Sequence, residues 1–214
     1  MEFNDSDVMF KHPFCMTVAG PSKSGKTFFV SNILRNINNL IHPLPFKILY
    51  SYSEWQPMFD DLKSKIHNIV FIHGIPEMDE IDNCLMILDD LSSSCIESKE
   101  IVHLFTVGSH HRNTSVILFT QNIFEQGKYA RSISLNSNYL VIFNNLRDKR
   151  QINHLGSQLY PKENYFINEV LQDAFKSQPR GYLIIDLLPD SKDDIRLRSI
   201  DFVNKRVYVY IKSL

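Results

Sequence analysis

Residues 20–27 read Gly20-Pro21-Ser22-Lys23-Ser24-Gly25-Lys26-Thr27, and their flanks restrict what such a turn can be. Before it lies an apolar run, Phe14-Cys15-Met16-Thr17-Val18-Ala19. After it, apolar residues recur at Val30, Ile33, Leu34, Ile37, Leu40 and Ile41. The first pattern is that of a buried strand, the second that of an amphipathic helix. A glycine-bounded turn between the two has the form G-x-x-x-x-G-K-[ST], a loop that cradles nucleotide phosphates. Gly20 and Gly25 let the backbone bend so that successive N–H groups point inward at the positive end of the helix. All eight positions, Gly20 through Thr27, are therefore candidate phosphate-binding residues. Lys26 is placed to reach the β- and γ-phosphates, and Thr27 to offer its hydroxyl to Mg²⁺.

The remaining chain reads as one domain. Its 214 residues suffice for a buried core, and 43% apolar with 22% charged residues is the balance of a water-soluble globular protein. No apolar run nears the ~20 residues of a membrane helix, so no membrane partner is expected. The acidic start, Met1 to Asp7, has neither the basic flank nor the apolar segment of a signal peptide. Cys15, Cys84 and Cys95 are odd in number, which suits a reducing compartment. An intracellular protein is expected, with residues 1–12 as a flexible arm and 13–214 as the domain. A net charge of −1 gives no global basic field toward nucleic acid.

Further apolar runs follow at Phe46–Tyr52, Ile69–Ile72, Cys84–Leu88, Ser115–Phe119, Tyr139–Phe143 and Gly181–Leu187. Helical patterns separate them at Glu54–Lys65, Glu97–His111 and Asn164–Lys176. Another runs to Leu159, with Asp148 as its cap. Segments around Leu197–Phe202 and Val207–Ile211 read as a closing hairpin. Apolar strands alternating with helices predict an α/β fold, a mostly parallel sheet flanked by helices on both faces.

Two strand ends carry chemistry. Leu85-Met86-Ile87-Leu88 delivers Asp89-Asp90 at its carboxyl end, where a phosphate-loop enzyme keeps its metal-side acid. Asp89 is the candidate Mg²⁺ residue opposite Thr27, and Asp90 the candidate base for the attacking water. Ile117-Leu118-Phe119 ends in Thr120-Gln121-Asn122, which puts an amide, Gln121 or Asn122, near the γ-phosphate, with Gln121 the first candidate. This polar strand is expected between the loop strand and the Asp-Asp strand, the additional-strand arrangement of ring-forming P-loop NTPases. An arginine from a neighbouring subunit commonly completes such a site. Arg147 is the first candidate, followed by Arg112 and Arg131. His110-His111 reads as a helix-end cap or interface pair, and the basic cluster Arg147-Asp148-Lys149-Arg150 either as phosphate contacts or as the decoration of a helix start. The Ser92–Ser94 loop and the Gly127–Arg131 connection are candidate channel-lining loops of such a ring.

These pieces, with Gly108-Ser109-His110-His111-Arg112-Asn113-Thr114-Ser115 and Ser134-Leu135-Asn136, resemble one family. The chain resembles the genome-packaging ATPases of Polinton/Maverick elements and of adintovirus- and poxvirus-like DNA viruses, within the FtsK–HerA superfamily. The resemblance runs from about Phe10 to Leu188. It implies ATP and Mg²⁺ as cofactors and a homo-oligomeric ring, hexamer or pentamer. It further implies double-stranded DNA and a capsid or portal-vertex protein as partners. The location it implies is a host cytoplasm or nucleus, or the virion. One departure concerns the second acid: cellular members usually carry Glu where this chain has Asp90, one methylene shorter. The residues alone leave open a small-molecule or nucleotide kinase, and an ATP-binding assembly scaffold. A GTPase is disfavoured, since neither Asn-Lys-x-Asp nor Asp-x-x-Gly occurs.

Overall fold

A computed structural model describes residues 1–2, 5–147, 149–161 and 164–212. Among them the central sheet has nine strands. In chain order these are β1 (Cys15–Ala19), β2 (Lys47–Tyr52), β3 (Ile69–His73), β4 (Cys84–Asp89), β5 (Ser115–Thr120), β6 (Tyr139–Phe143), β7 (Tyr182–Asp186), β8 (Leu197–Asp201) and β9 (Arg206–Val209). Across the sheet they lie in the order β9-β8-β7-β6-β1-β5-β4-β2-β3. From β6 to β3 all neighbours are parallel. Strand β5 sits between β1 and β4, as its polar end predicts. The fold is α/β, mostly parallel, with the expected C-terminal hairpin β8–β9.

Strands β1, β4, β5 and β6 are buried along their whole length, because helices cover both faces. On one face α1 (Lys26–Arg35) and α2 (Pro57–Lys65) bury Phe29, Val30, Ile33, Phe59 and Leu62 against Met16, Val18, Ile48, Ile87 and Ile117. On the other, α3 (Lys99–His103) runs through a π turn, Leu104–Gly108, into Ser109–His111. It packs with α4 (Ala130–Leu135) on Met86, Leu88, Val116 and Leu118. Helices α5 (Lys149–Leu159) and α6 (Asn164–Lys176) cover Leu140, Ile142, Leu183 and Ile185. The expected cap of α5, Asp148, lies outside the described residues.

The run at Gly181–Leu187 becomes β7, antiparallel to β6 within the mostly parallel sheet. Two helices instead of one follow β6, so the chain returns to the end of the sheet it left. The arm expected over residues 1–12 is not loose as far as residue 12. Val8 and Phe10 are buried in the core, and Phe10-Lys11 pairs with Ile41-His42. Phe10 meets Tyr139 edge-on at 4.9 Å, and the Lys11 N–H donates to the Tyr139 hydroxyl at 3.1 Å. Phe10 also closes over Arg198, whose guanidinium is fully buried and paired with Asp186 at 2.9 Å.

Candidate active site

The turn after β1 is shaped by its glycines. Gly25 has φ 117°, in the left-handed region open to glycine, and α1 starts directly after it with no side-chain cap. A Cβ on Gly20 would stand 2.7 Å from the Phe143 Cβ and 2.8 Å from the Ser24 Oγ. The Gly20 N–H donates to the Thr120 carbonyl at 3.1 Å, tying the loop to β5. Lys26 is only 7% exposed, and its ammonium donates to the Gly20 carbonyl at 2.6 Å and the Pro21 carbonyl at 3.2 Å. Burial lowers its pKa, opposed by the charges of Asp90, Asp89 and Glu125.

Asp89 ends β4 opposite the start of α1. Its Oδ2 accepts from the Thr27 hydroxyl at 3.3 Å and from the Tyr50 phenol, on neighbouring β2, at 2.8 Å. At 2% exposed, Asp89 has its carboxyl pushed up to about 6, chiefly by burial; Asp90 adds to the rise, and the Tyr50 and Thr27 bonds oppose it. Burial, with the Asp89 charge beside it, holds the Tyr50 phenol well above its ordinary range. Asp90 is exposed, at φ 55°. A cleft of about 470 Å³ opens over these groups, lined by Lys23, Lys26, Thr27, Asp89, Asp90 and Arg180 among others. Its size falls within the usual range for small-ligand sites.

Lys26, Thr27, Asp89 and Asp90 thus share one cleft with Ser22, Lys23 and Gly25. Gln121 and Asn122 line a separate small depression beside Gly20. The backbone N–H groups of Gln121 and Asn122 are held by the Glu125 carboxylate at 2.8 and 3.2 Å. Arg147 lies exposed beyond β6, with its N–H on the Asn145 side chain, and does not line this cleft. Arg112 is committed elsewhere, its guanidinium donating to the Met78 and Ile81 carbonyls at 2.6 and 3.0 Å. Among the described residues no group of His, Cys, Asp and Glu is arranged to hold a metal, so His110-His111 stays a surface pair.

Tyr50, Glu125 and Arg180 reach the site from distant parts of the chain, with no motif to announce them. The residues fit a triphosphate with Mg²⁺. Among the described residues the Ser24 hydroxyl is buried without a partner, the first turn of α1 carries no acid, and the Thr27 and Asp89 oxygens face each other.

No protein-family model matches the chain. One sequence relative, the tRNA uridine(34) hydroxylase of Prochlorococcus marinus (strain MIT 9515), is 26% identical over 132 residues. That match covers 60% of this chain and 38% of the hydroxylase, so the chain spans well under half of that relative's length. Among solved structures, the genome packaging NTPase B204 of Sulfolobus turreted icosahedral virus 2, in complex with sulfate, aligns with a TM-score of 0.55. The alignment covers 96% of this chain and 99% of B204 at 10% identity. The B204 complex with ATP-gammaS gives 0.53 over 94% and 98% of the two chains, at 12% identity. The chain has a P-loop NTPase fold. Identity this low carries the fold alone. Among the described residues, no helix is long and apolar enough to cross a membrane.

Proposed function

We propose that this chain is a Mg²⁺-dependent ATPase working in a homo-oligomeric ring, hexameric or pentameric. The ring translocates double-stranded DNA and packages a viral or virus-derived genome into a capsid through a portal-vertex protein. The observation that carries the ATPase reading is the 3.3 Å approach of the Thr27 hydroxyl to the Asp89 carboxylate, beside a buried Lys26. The DNA reading draws on the motif resemblance along Phe10–Leu188. It also draws on the end-to-end likeness in fold to B204, a genome packaging NTPase with structures in complex with ATP-gammaS and sulfate.

In this reading the N–H groups of the loop and the ammonium of Lys26 hold the β- and γ-phosphates. Thr27 and Asp89 would hold Mg²⁺, which would supply positive charge to offset that of the phosphates. Asp90 orients a water in line with the γ-phosphorus and takes up its proton. The P–O bond to the β-phosphate breaks, giving ADP and phosphate. Gln121 senses whether the γ-phosphate is present, and Arg147 of an adjacent subunit neutralises charge in the transition state. Closure of the subunit contact around ATP and its release after hydrolysis move DNA-gripping loops.

The test is phosphate release with and without duplex DNA, under conditions that permit rings. Duplex DNA is expected to raise the rate, and Lys26→Ala to lower it by about a hundredfold or more through loss of transition-state charge stabilisation. A rate unmoved by DNA would remove the translocase reading and leave an ATPase. No phosphate release under any of these conditions would remove both.

A further inference from the structure

Arg180 lines the cleft, and the hydrolysis scheme gives its charge no task. It stands in the Ser177–Gly181 turn that leads into β7, at φ 61°. A left-handed backbone favours glycine, and an L-residue with a long side chain is disfavoured there. The next residue is itself a glycine forced by packing: a Cβ on Gly181 would stand 2.3 Å from the Ala174 carbonyl oxygen. The turn therefore holds Arg180 in one place, and that place is the phosphate loop. Its Cβ and Cδ lie 3.1 and 3.0 Å from where a Cβ on Gly25 would be. Its guanidinium lies over the Phe28 ring, 5.2 Å from the centroid.

Among the described residues no carboxylate or hydrogen-bond acceptor pairs with Arg180, and the Phe28 beneath it is 44% exposed. An arginine stacked on an exposed ring beside an anion-binding loop presents a flat cation to the cleft. The sheet order tells which end of a ligand it meets. Strand β4, bearing Asp89, lies two strands from β1 on one side; β7, led by Arg180, lies two strands from β1 on the other. The metal end of a triphosphate belongs at Thr27 and Asp89. Phe28, the next residue of α1, and Arg180 then form the opposite wall, at the nucleoside end.

We infer that the Phe28–Arg180 stack is the nucleoside clamp of this cleft: the nucleobase lies on the guanidinium plane. The inference rests on the triphosphate reading above. Stacking engages the face of a base rather than its edge, so the clamp takes ATP and GTP alike. Guanidinium planarity matters here, and lysine does not replace it.

Calorimetric titration with Mg–ATP, Mg–GTP and Mg–tripolyphosphate separates the possibilities, using the full chain and the variants Arg180→Gly, Arg180→Lys and Phe28→Leu. Arg180→Gly suits the left-handed backbone, so lost binding cannot be ascribed to lost folding; a thermal melt of each variant checks this. The expected result is a weakening of ATP and GTP by about tenfold in Arg180→Gly, as loss of a stacked cation predicts. Lysine should restore little of it, and tripolyphosphate should bind all variants as it binds the original protein. Unchanged ATP affinity in Arg180→Gly overturns the clamp. Equal loss of ATP and tripolyphosphate also overturns it, placing Arg180 at the phosphates. If the original protein binds tripolyphosphate but gains nothing from the nucleoside, the clamp falls and the phosphate loop stands. If it binds none of the three, the triphosphate reading falls first and takes the clamp with it.

Discussion

Asp89 is held in a conflict that a nucleotide complex would relieve. Burial pushes its carboxyl up to about 6, above the ordinary value of 3.8, although Tyr50 and Thr27 both donate to it. Between those two values the folded chain binds more protons than the unfolded chain. This group's contribution to stability is therefore complete below about pH 4 and is lost as pH rises to about 6. Asp89→Asn keeps an acceptor for both donors and removes the buried charge. In metal-free, nucleotide-free protein it should raise the melting temperature at pH 7.5 by on the order of 5 °C. It should also flatten the fall in stability between pH 4 and 6, and it should abolish phosphate release. A melt that drops at pH 7.5 would show that the ionised carboxylate stabilises the empty site. Lys26, Thr27 and Asp89 could be read from sequence because each occupies a fixed place in a local strand-end pattern. Tyr50, which lies 39 residues before Asp89, could not, since only the pairing of β2 with β4 brings it there.

Among the elements, the apolar parallel strands were legible because burial on both faces leaves them no polar alternation to confuse with a helix. The direction of β7 was not. It depends on α5 and α6 forming an out-and-back pair, a tertiary fact that periodicity does not carry. The packing of Phe10 was hidden in the same way, because an apolar triplet as short as Val8-Met9-Phe10 acquires meaning only when Tyr139 and Arg198 are beside it. The junction of α6 with β7 is the element-scale feature most exposed to a single change. A methyl on Gly181 would stand 2.3 Å from the Ala174 carbonyl oxygen and 2.6 Å from that of Phe175, both backbone atoms that cannot rotate away. Gly181→Ala should cost about 2–4 kcal/mol, read as a lower denaturant midpoint with an unchanged slope. Because Arg180 precedes it directly, the same variant should weaken Mg–ATP binding more than Mg–tripolyphosphate binding. A variant as stable as the original chain would mean that α6 can withdraw from β7 at little cost.

At the scale of the whole molecule, the position of Arg147 matters most. It is exposed beyond β6 and does not line the cleft of its own subunit, so within one chain it has no transition state to serve. In a closed ring every cleft meets the next subunit through the same pair of surfaces. An arginine on one surface can then complete the site on the other. The arrangement can be tested by mixing two inactive chains, Lys26→Ala and Arg147→Ala. An interface works only when an Arg147→Ala subunit supplies its intact phosphate loop and a Lys26→Ala neighbour supplies its intact arginine. In randomly mixed rings at equal amounts, that pairing occurs at about a quarter of the interfaces, so about a quarter of the original rate should return. Rings that must fire in sequence around the whole circle would return nothing, because every ring with a working interface also holds a dead Lys26→Ala site. If each variant is inactive and the mixture, shown by mass to contain both chains in one ring, stays inactive, either Arg147 acts within its own subunit or the ring fires only as a whole circle. If Arg147→Ala alone hydrolyses ATP at the original rate, the finger is another residue, and exposed Arg131 on α4 is the next to exchange.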